Sequence, residues 1–481
     1  MQTKKYFRIS AGLLLLIIIT SGCKKFVEIS PPSTQVVTAS VFNNNDDVTS
    51  ALLVIYMKMV TNGESWNMSQ DQGLMSDELT SHSTVLAQKQ FYTNSMLAID
   101  NTEPWTHAYN YIYQANAIIA GLQSNTNITP AIAQQITGEA KFIRAFWHFY
   151  LTNLYGAIPV VTTTNYTVNE LISRTPQPLV YTQIIQDLTD ASSLLNVNYV
   201  DVTDTTMTTD RVRPTKGAAE AMLARVYLYT GKYDSAQAQA TLVINNSNLY
   251  ALDSILSPTN NTYSPNSPFL MNSTEAILQL YTPQPASYNT IDAQDFILTS
   301  APGTGNGNST TISPELLGSF EAGDLRRTNW IDSVIESGIP YYFPYKYQAH
   351  NTGTLTEYTM VLRLAEQYLI RAEAEATQGD STDAIADLNT IRSRAGLPGY
   401  NPSINGPLLA AILHERQVEL FTEWGHRWFD LNRTGEVNAV LGAPGNVCHL
   451  KGGVWNSDWE LYPVPQTEIS DDINLTQNPG Y

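Results

Sequence analysis

The sequence predicts a mainly α protein, a tetratricopeptide-type helical superhelix that carries one loop-rich insertion. Three observations lead there. Apolar residues recur at helical spacing along most of the chain, two stretches share one pattern of small residues, and one long polar run between them loses all helical period.

The first element is a targeting segment. Lys4, Lys5 and Arg8 form a positive start, Ala11 to Ile19 an apolar stretch, and Thr20, Ser21 and Gly22 a small-residue exit, the anatomy of a secretory leader. The apolar stretch is too short to span a bilayer, which takes about 20 residues. Cys23 directly after it resembles a bacterial lipobox, in which that thiol is lipidated and becomes the first mature residue. Expected boundaries are therefore 1–22 for the leader, 23–256 for an N-terminal helical scaffold, 257–360 for the insertion and 361–481 for a C-terminal scaffold. The full chain has 43% hydrophobic residues, enough for a large core, and a net charge of −18. That charge suits neither nucleic acid nor an anionic lipid surface, both of which call for clustered Lys and Arg. Cys448 is the second of two cysteines, so with Cys23 lipidated no internal disulfide is expected.

Helices follow in order. Asp46 to Val60 and Trp105 to Leu122 have helical character, and Ile136 to Tyr155 is apolar and aromatic almost all round, which predicts burial on several sides. Tyr181, Ile184, Ile185 and Leu188 form one stripe that Leu195 continues. Ile385, Leu388 and Ile391 form another, which Gly396 and Pro398 end in the order of a C-terminal stop. Pro407 opens a last one over Leu408 to Glu423. Strand signals are weak and scattered.

The repeat lies within this pattern. Ala224, Gly231 and Ala236 have the same spacing as Ala372, Gly379 and Ala384. Small residues there let paired helices approach, and each glycine supplies backbone freedom for the turn between them. Such units bury their apolar faces only by stacking, so degenerate copies are expected earlier in the chain. From Ser257 to Thr311 the composition turns to Asn, Ser, Thr, Pro and Gly, the mark of loop. Aromatics punctuate this region and its sequel: Tyr263, Tyr281, Tyr288, Trp330, Tyr341, Tyr342, Phe343, Tyr345 and Tyr347. Disordered segments lack them, so an ordered loop-built surface is expected.

Catalytic motifs are missing. The chain has no GxSxG, HExxH or P-loop, and Gly303, Gly305 and Gly307 sit in a polar run rather than between strand and helix. Glu423 and His426 make one ExxH, where a di-metal bundle needs two on facing helices. No metal, cofactor or catalytic residue is expected.

Five successive blocks carry a resemblance: Gly138 to Val161, Arg213 to Ala236, Leu362 to Ala374, Glu415 to Gly435 and the ending Leu461 to Tyr481. They look like the blocks of the SusD/RagB family, in order over nearly the whole mature chain, with "SDEL" at Ser76 fitting too. The resemblance implies an outer-membrane lipoprotein that binds glycans and passes them to a SusC-like TonB-dependent transporter without acting as an enzyme. Lys24 and Lys25 follow Cys23 where surface lipoproteins of such bacteria often carry acidic residues. Outward display thus follows from the resemblance, and periplasmic retention stays open.

Charges inside the blocks, among them Glu139, Lys141, Arg144, Glu415, Arg416, Glu419, His426, Arg427 and Asp430, are expected to be buried or half-buried and paired, fixing helix packing. Trp105, Trp147, Trp424 and Trp428 are expected in the core. A sugar binder needs flat aromatic platforms beside a few polar groups. Trp66 lies shortly before "SDEL", in a region from which this family often draws ligand contacts, and Trp330, Tyr341 and Tyr342 lie in the insertion. Asn67, Asp71 and Arg327 are their polar neighbours. For each aromatic a core or interface role is the competing reading. Two other functions stay open, a lipid-anchored glycan hydrolase and an assembly scaffold without a small ligand.

Overall fold

A computed structural model describes residues 41–100, 102–255, 267–282, 289–303, 308–350, 353–442 and 445–481. The leader, Cys23, Tyr263 and Tyr288 lie outside these residues.

Helix α1 (Asn45–Thr61) starts at an Asn44 cap and is followed by α2 (Glu64–Met75) and the short α3 (Leu86–Tyr92). Next come α4 (Glu103–Leu122), α5 (Pro130–Tyr155) and α6 (Gln177–Leu194). Helix α5 contains the stretch noted in the sequence as apolar and aromatic almost all round, and it is packed between α4 and α6. Its Trp147 ring meets Tyr111 of α4 at 4.9 Å, and Phe146 meets Trp424 edge-on at 5.2 Å. Trp105, Trp147, Trp424 and Trp428 are all buried in this core.

The two copies of the repeat are helix pairs: α7 (Lys216–Tyr229) with α8 (Tyr233–Ile244), and, after a short helix α9 (Ile291–Phe296), α10 (Leu364–Gln378) with α11 (Ser381–Arg394). Gly231 and Gly379 stand at φ +66° and +91°, in the left-handed region where a side chain is strained. Ala224, Ala236, Ala372 and Ala384 are fully buried where the sequence pattern calls for close approach. Ala224, Ala236 and Ala240 meet Ile370 and Ala374, so the second pair stacks on the first.

Helices α12 (Leu408–Leu420) and α13 (His426–Thr434) complete the scaffold. The expected helix to Glu423 stops three residues short. Phe421 leaves the helix, Thr422 and Trp424 take φ values of +49° and +47°, and the freed backbone is satisfied elsewhere. Thr422 N–H points at the Glu78 carboxylate, Trp424 N–H donates to Ser69 Oγ, and the Trp424 indole donates to Met360 O.

Strands are short and form three antiparallel pairs among the described residues: β1 (Leu79–Ser81) with β3 (Thr310–Ile312), β2 (Ala276–Leu280) with β6 (Thr359–Arg363), and β4 (Ile331–Glu336) with β5 (Ile339–Pro344). The stretch expected as loop over 257–311 therefore also holds β2, α9 and most of β3. These pieces carry no period because each is only a few residues long and takes its order from a distant partner.

Most of the charged residues singled out in the sequence blocks are paired. Arg144 grips Asp187 with two bonds of 2.8 and 2.5 Å, and Lys141 meets Asp190 at 2.5 Å. Glu139 takes Arg213 at 2.6 Å and the Tyr56 hydroxyl at 2.9 Å. Arg363 is the hub of a larger cluster, reaching Glu419 at 2.5 Å, Glu423 at 2.7 Å and Glu275 at 2.9 Å. Arg326 joins Asp324, Glu415 and Glu419, while Arg416 holds Asp430 and Arg427 holds Asp77. His426 is buried, which drives its pKa down to about 3. Glu423, its partner in the ExxH spacing, is bound to Lys346 and Arg363.

Candidate functional site

Helix α2 builds the floor of a large cleft. It begins at Gly63, whose φ of +67° turns the chain sharply out of α1. Trp66 and Gln70 then lie four residues apart on one row of the helix, and Asn67 and Asp71 on the next. Both rows line the cleft, while Met68, Ser69 and Gln72 are buried.

The other walls come from far along the chain. Ser83, Val85 and Gln88 belong to the segment between β1 and α3 and to α3 itself, Thr102, Glu103 and Pro104 to the start of α4, and Asp295, Asn308 and Ser309 to the insertion. The β1–β3 ladder brings the last group in. Its register pairs Ser81 with Thr310, and His82 N–H extends it by donating to Ser309 O at 2.7 Å. Side chains fasten the same junction: Thr310 Oγ1 donates to Gln70 Oε1 at 3.2 Å, and Ser309 Oγ donates to Gln88 Oε1 at 2.8 Å.

The enclosed volume is about 570 Å³, within the range of about 300 to 1,000 Å³ usual for small-molecule sites. Two smaller spaces adjoin it. One of about 210 Å³ shares Asp295 and Asn308 with it, and one of about 40 Å³ shares Asn67, Asp71, Glu103 and Pro104.

Its chemistry combines an aromatic plate with hydrogen-bonding groups. Trp66 is half-buried, and its indole Nε1 has no hydrogen-bond partner among the described residues. Asn67, Gln70, Gln88 and Asn308 supply amides, and Asp71, Asp100, Glu103 and Asp295 supply carboxyls. Burial raises the pKa of Asp71 well above the usual carboxyl range, and the charge of Glu103 adds to the rise. Burial also pushes Asp295 up to about 6, against a lowering hydrogen bond from Gln294. No Lys or Arg is among the lining residues described. Such a surface can stack a flat apolar ring face on Trp66 and bind hydroxyls around its edge.

Of the residues singled out in the sequence, Trp66, Asn67 and Asp71 meet here. The others do not. Trp330 is only 2% exposed, packed edge-on against Phe269 at 5.5 Å, with the Lys346 ammonium 5.0 Å from its ring center. It caps the Arg363 cluster and offers no open platform. Tyr341 and Tyr342 are half-buried on β5, and Arg327 stacks over the Tyr342 ring at 4.7 Å. That contact occupies one face of the ring. Sequence reasoning missed Gln70, Gln88, Glu103, Asp295 and Asn308. Gln70 was within reach, since a helical reading of Trp66 places the residue four further on beside it; the rest depend on tertiary contacts.

Stacked helix pairs bearing a cleft with an aromatic floor define a helical-repeat scaffold with one side built around that cleft. A family model described as "SusD family" matches residues 329–481, and one described as "Starch-binding associating with outer membrane" matches residues 25–228. The chain belongs to the SusD/RagB family. It is 29% identical over 537 aligned positions to SusD-like protein P2 of Formosa agariphila, covering 99% of this chain and 100% of that one. It is 34% identical over 128 positions to the starch-binding protein SusD of Bacteroides thetaiotaomicron, covering 25% of this chain and 21% of that protein. A solved laminarin binding SusD-like protein superposes with a TM-score of 0.70 at 25% identity, over 91% of this chain and 99% of that chain. Among the described residues no helix is long and apolar enough to cross a membrane.

Proposed function

We propose that this protein is a glycan-binding lipoprotein of the outer membrane, held by lipid on Cys23 and facing outward, which captures oligosaccharide in the α2 cleft and delivers it to a SusC-like TonB-dependent transporter. The observation that carries the proposal is the face of α2, where Trp66, Asn67, Gln70 and Asp71 together line the large cleft. Relatives named for starch and laminarin binding support the ligand class. The protein binds its ligand and releases it unchanged.

Calorimetry of the mature protein against a glycan panel tests this reading. Saturable binding that Trp66→Ala weakens at least tenfold is the expected result. A hydrolase reading draws on the same cleft, because a carboxyl raised to about 6 beside other carboxyls suits a general acid. Reducing ends accumulating over hours with the purified protein would establish that reading instead.

A further inference from the structure

We propose that the cleft selects glycans bearing no negative charge and turns away uronate-containing and sulfated chains. This rests on the reading of the cleft as the glycan site and names the ligand class within it.

Charge distribution around the cleft is one-sided. Asp71, Asp100, Glu103 and Asp295 line the main space, and its described lining contains no Lys, Arg or His. The adjoining small space adds Glu64 and His107, but these are spent on each other: His107 Nδ1 lies 2.9 Å from Glu64 Oε1. His350 in the other adjoining space is the remaining basic lining group. In the Arg363 cluster, by contrast, Glu275, Glu419 and Glu423 each meet a guanidinium.

The polar groups lining the cleft, amides and hydroxyls beside the carboxyls, are those that sugar hydroxyls use. Gln72, only 2% exposed, lines the smaller space, and its Oε1 has no hydrogen-bond partner among the described residues. The Trp66 indole Nε1 also lacks a partner among the described residues, but like Gln72 Oε1 it lies beneath the surface, so Trp66 presents its ring rather than its N–H. A neutral sugar hydroxyl can donate to the carboxyls that line the cleft and accept from the amides of Asn67, Gln70, Gln88 and Asn308. A sulfate or carboxylate has no proton to donate, and no guanidinium or ammonium meets it. One negative charge about 6 Å from one carboxylate loses roughly threefold to a hundredfold in affinity, depending on how far water screens the pair.

The test compares hexasaccharides on the mature protein by calorimetry. Uncharged probes are laminarihexaose, maltohexaose, cellohexaose, mannohexaose and xylohexaose; anionic probes are hexamers from alginate, polygalacturonate and carrageenan. Measurable binding is expected only among the uncharged ones. A sulfated derivative of whichever probe binds should bind at least ten times more weakly than its parent. That ratio should fall below three in a Glu103→Gln, Asp295→Asn double variant, and should also shrink in 500 mM salt relative to 20 mM. Because the ratio is taken within each variant, any general loss of affinity cancels. An anionic probe binding as tightly as the uncharged ones overturns the proposal, as does a ratio that neither the variant nor salt moves, since the penalty is then steric. Binding by no probe of either kind removes the glycan reading itself.

Discussion

The Arg363 cluster and the α2 cleft are both rich in carboxylates, and they treat them in opposite ways. In the cluster, Glu275, Glu419 and Glu423 are buried and each meets a guanidinium. Burial would raise the pKa of Glu419, but Arg394, Arg363 and Arg326 outweigh it and hold the group well below the usual range. In the cleft, burial acts with no cation against it, and Asp71 and Asp295 rise. The same residue type is thus structural cement in one place and an open hydrogen-bonding group in the other. Partners decide which, and the composition of either stretch does not.

Breaking the cluster gives the largest expected effect. Arg363→Met leaves three buried carboxylates without their shared cation and should cost about 3 to 5 kcal/mol, read by guanidinium denaturation. A loss under about 1 kcal/mol would show that the cluster is not a stabilising hub.

Acid sharpens the contrast next. Burial alone would raise the carboxyl of Glu366, yet Arg225, bonded to it twice at 2.6 Å, brings it down to about 2. Its folded pKa lies below the unfolded value of about 4.3, so its contribution is full above that pH and is lost as pH falls toward 2. The loss should be on the order of 3 kcal/mol, seen as a falling urea midpoint between pH 5 and pH 2.5. In Arg225→Met the Glu366 share of that fall should be missing, leaving the smaller fall due to other paired carboxylates such as Glu419.

Trp66→Ala is expected to affect binding more than folding. Losing the plate should lower glycan affinity at least tenfold, about 1.4 kcal/mol or more, whereas Trp330→Phe, altering a core ring, should leave affinity within threefold and lower the melting temperature. Equal loss of affinity in both variants would erase the distinction drawn between these two tryptophans.

The smallest effect has the opposite sign to the acid prediction. Asp295 has a folded pKa of about 6, above its unfolded value, so its ionised form opposes folding at pH 7. Asp295→Asn should stabilise by less than about 1 kcal/mol after allowance for solvent screening, and the gain should vanish near pH 4. A destabilised variant at pH 7 would contradict the assignment.

Much of the scaffold was legible because its signals are local. The helix over Trp105 to Leu122 is observed as Glu103–Leu122, and both glycines of the repeat stand at positive φ. Arg144 and Glu139, expected to be paired because a buried charge must be, have Asp187 and Arg213. The site was legible only on one side. Trp66, Asn67 and Asp71 were found together through the family resemblance, while Trp330, chosen for its loop-rich surroundings, proved to be enclosed by Phe269 and Lys346.

By itself the sequence determined the helices, the paired repeat and the family, since periodicity, small residues and turn glycines act within a few residues of one another. Tertiary structure alone decided where α12 stops, which tryptophan stays open and what closes the cleft opposite α2. Glu78 and Ser69 reach Thr422 and Trp424 from more than 300 positions away, and the β1–β3 pairing brings Thr310 onto Gln70 and Ser309 onto Gln88. Such contacts depend on which surfaces meet after the helices stack, and that information is spread over the whole chain rather than written in any one segment.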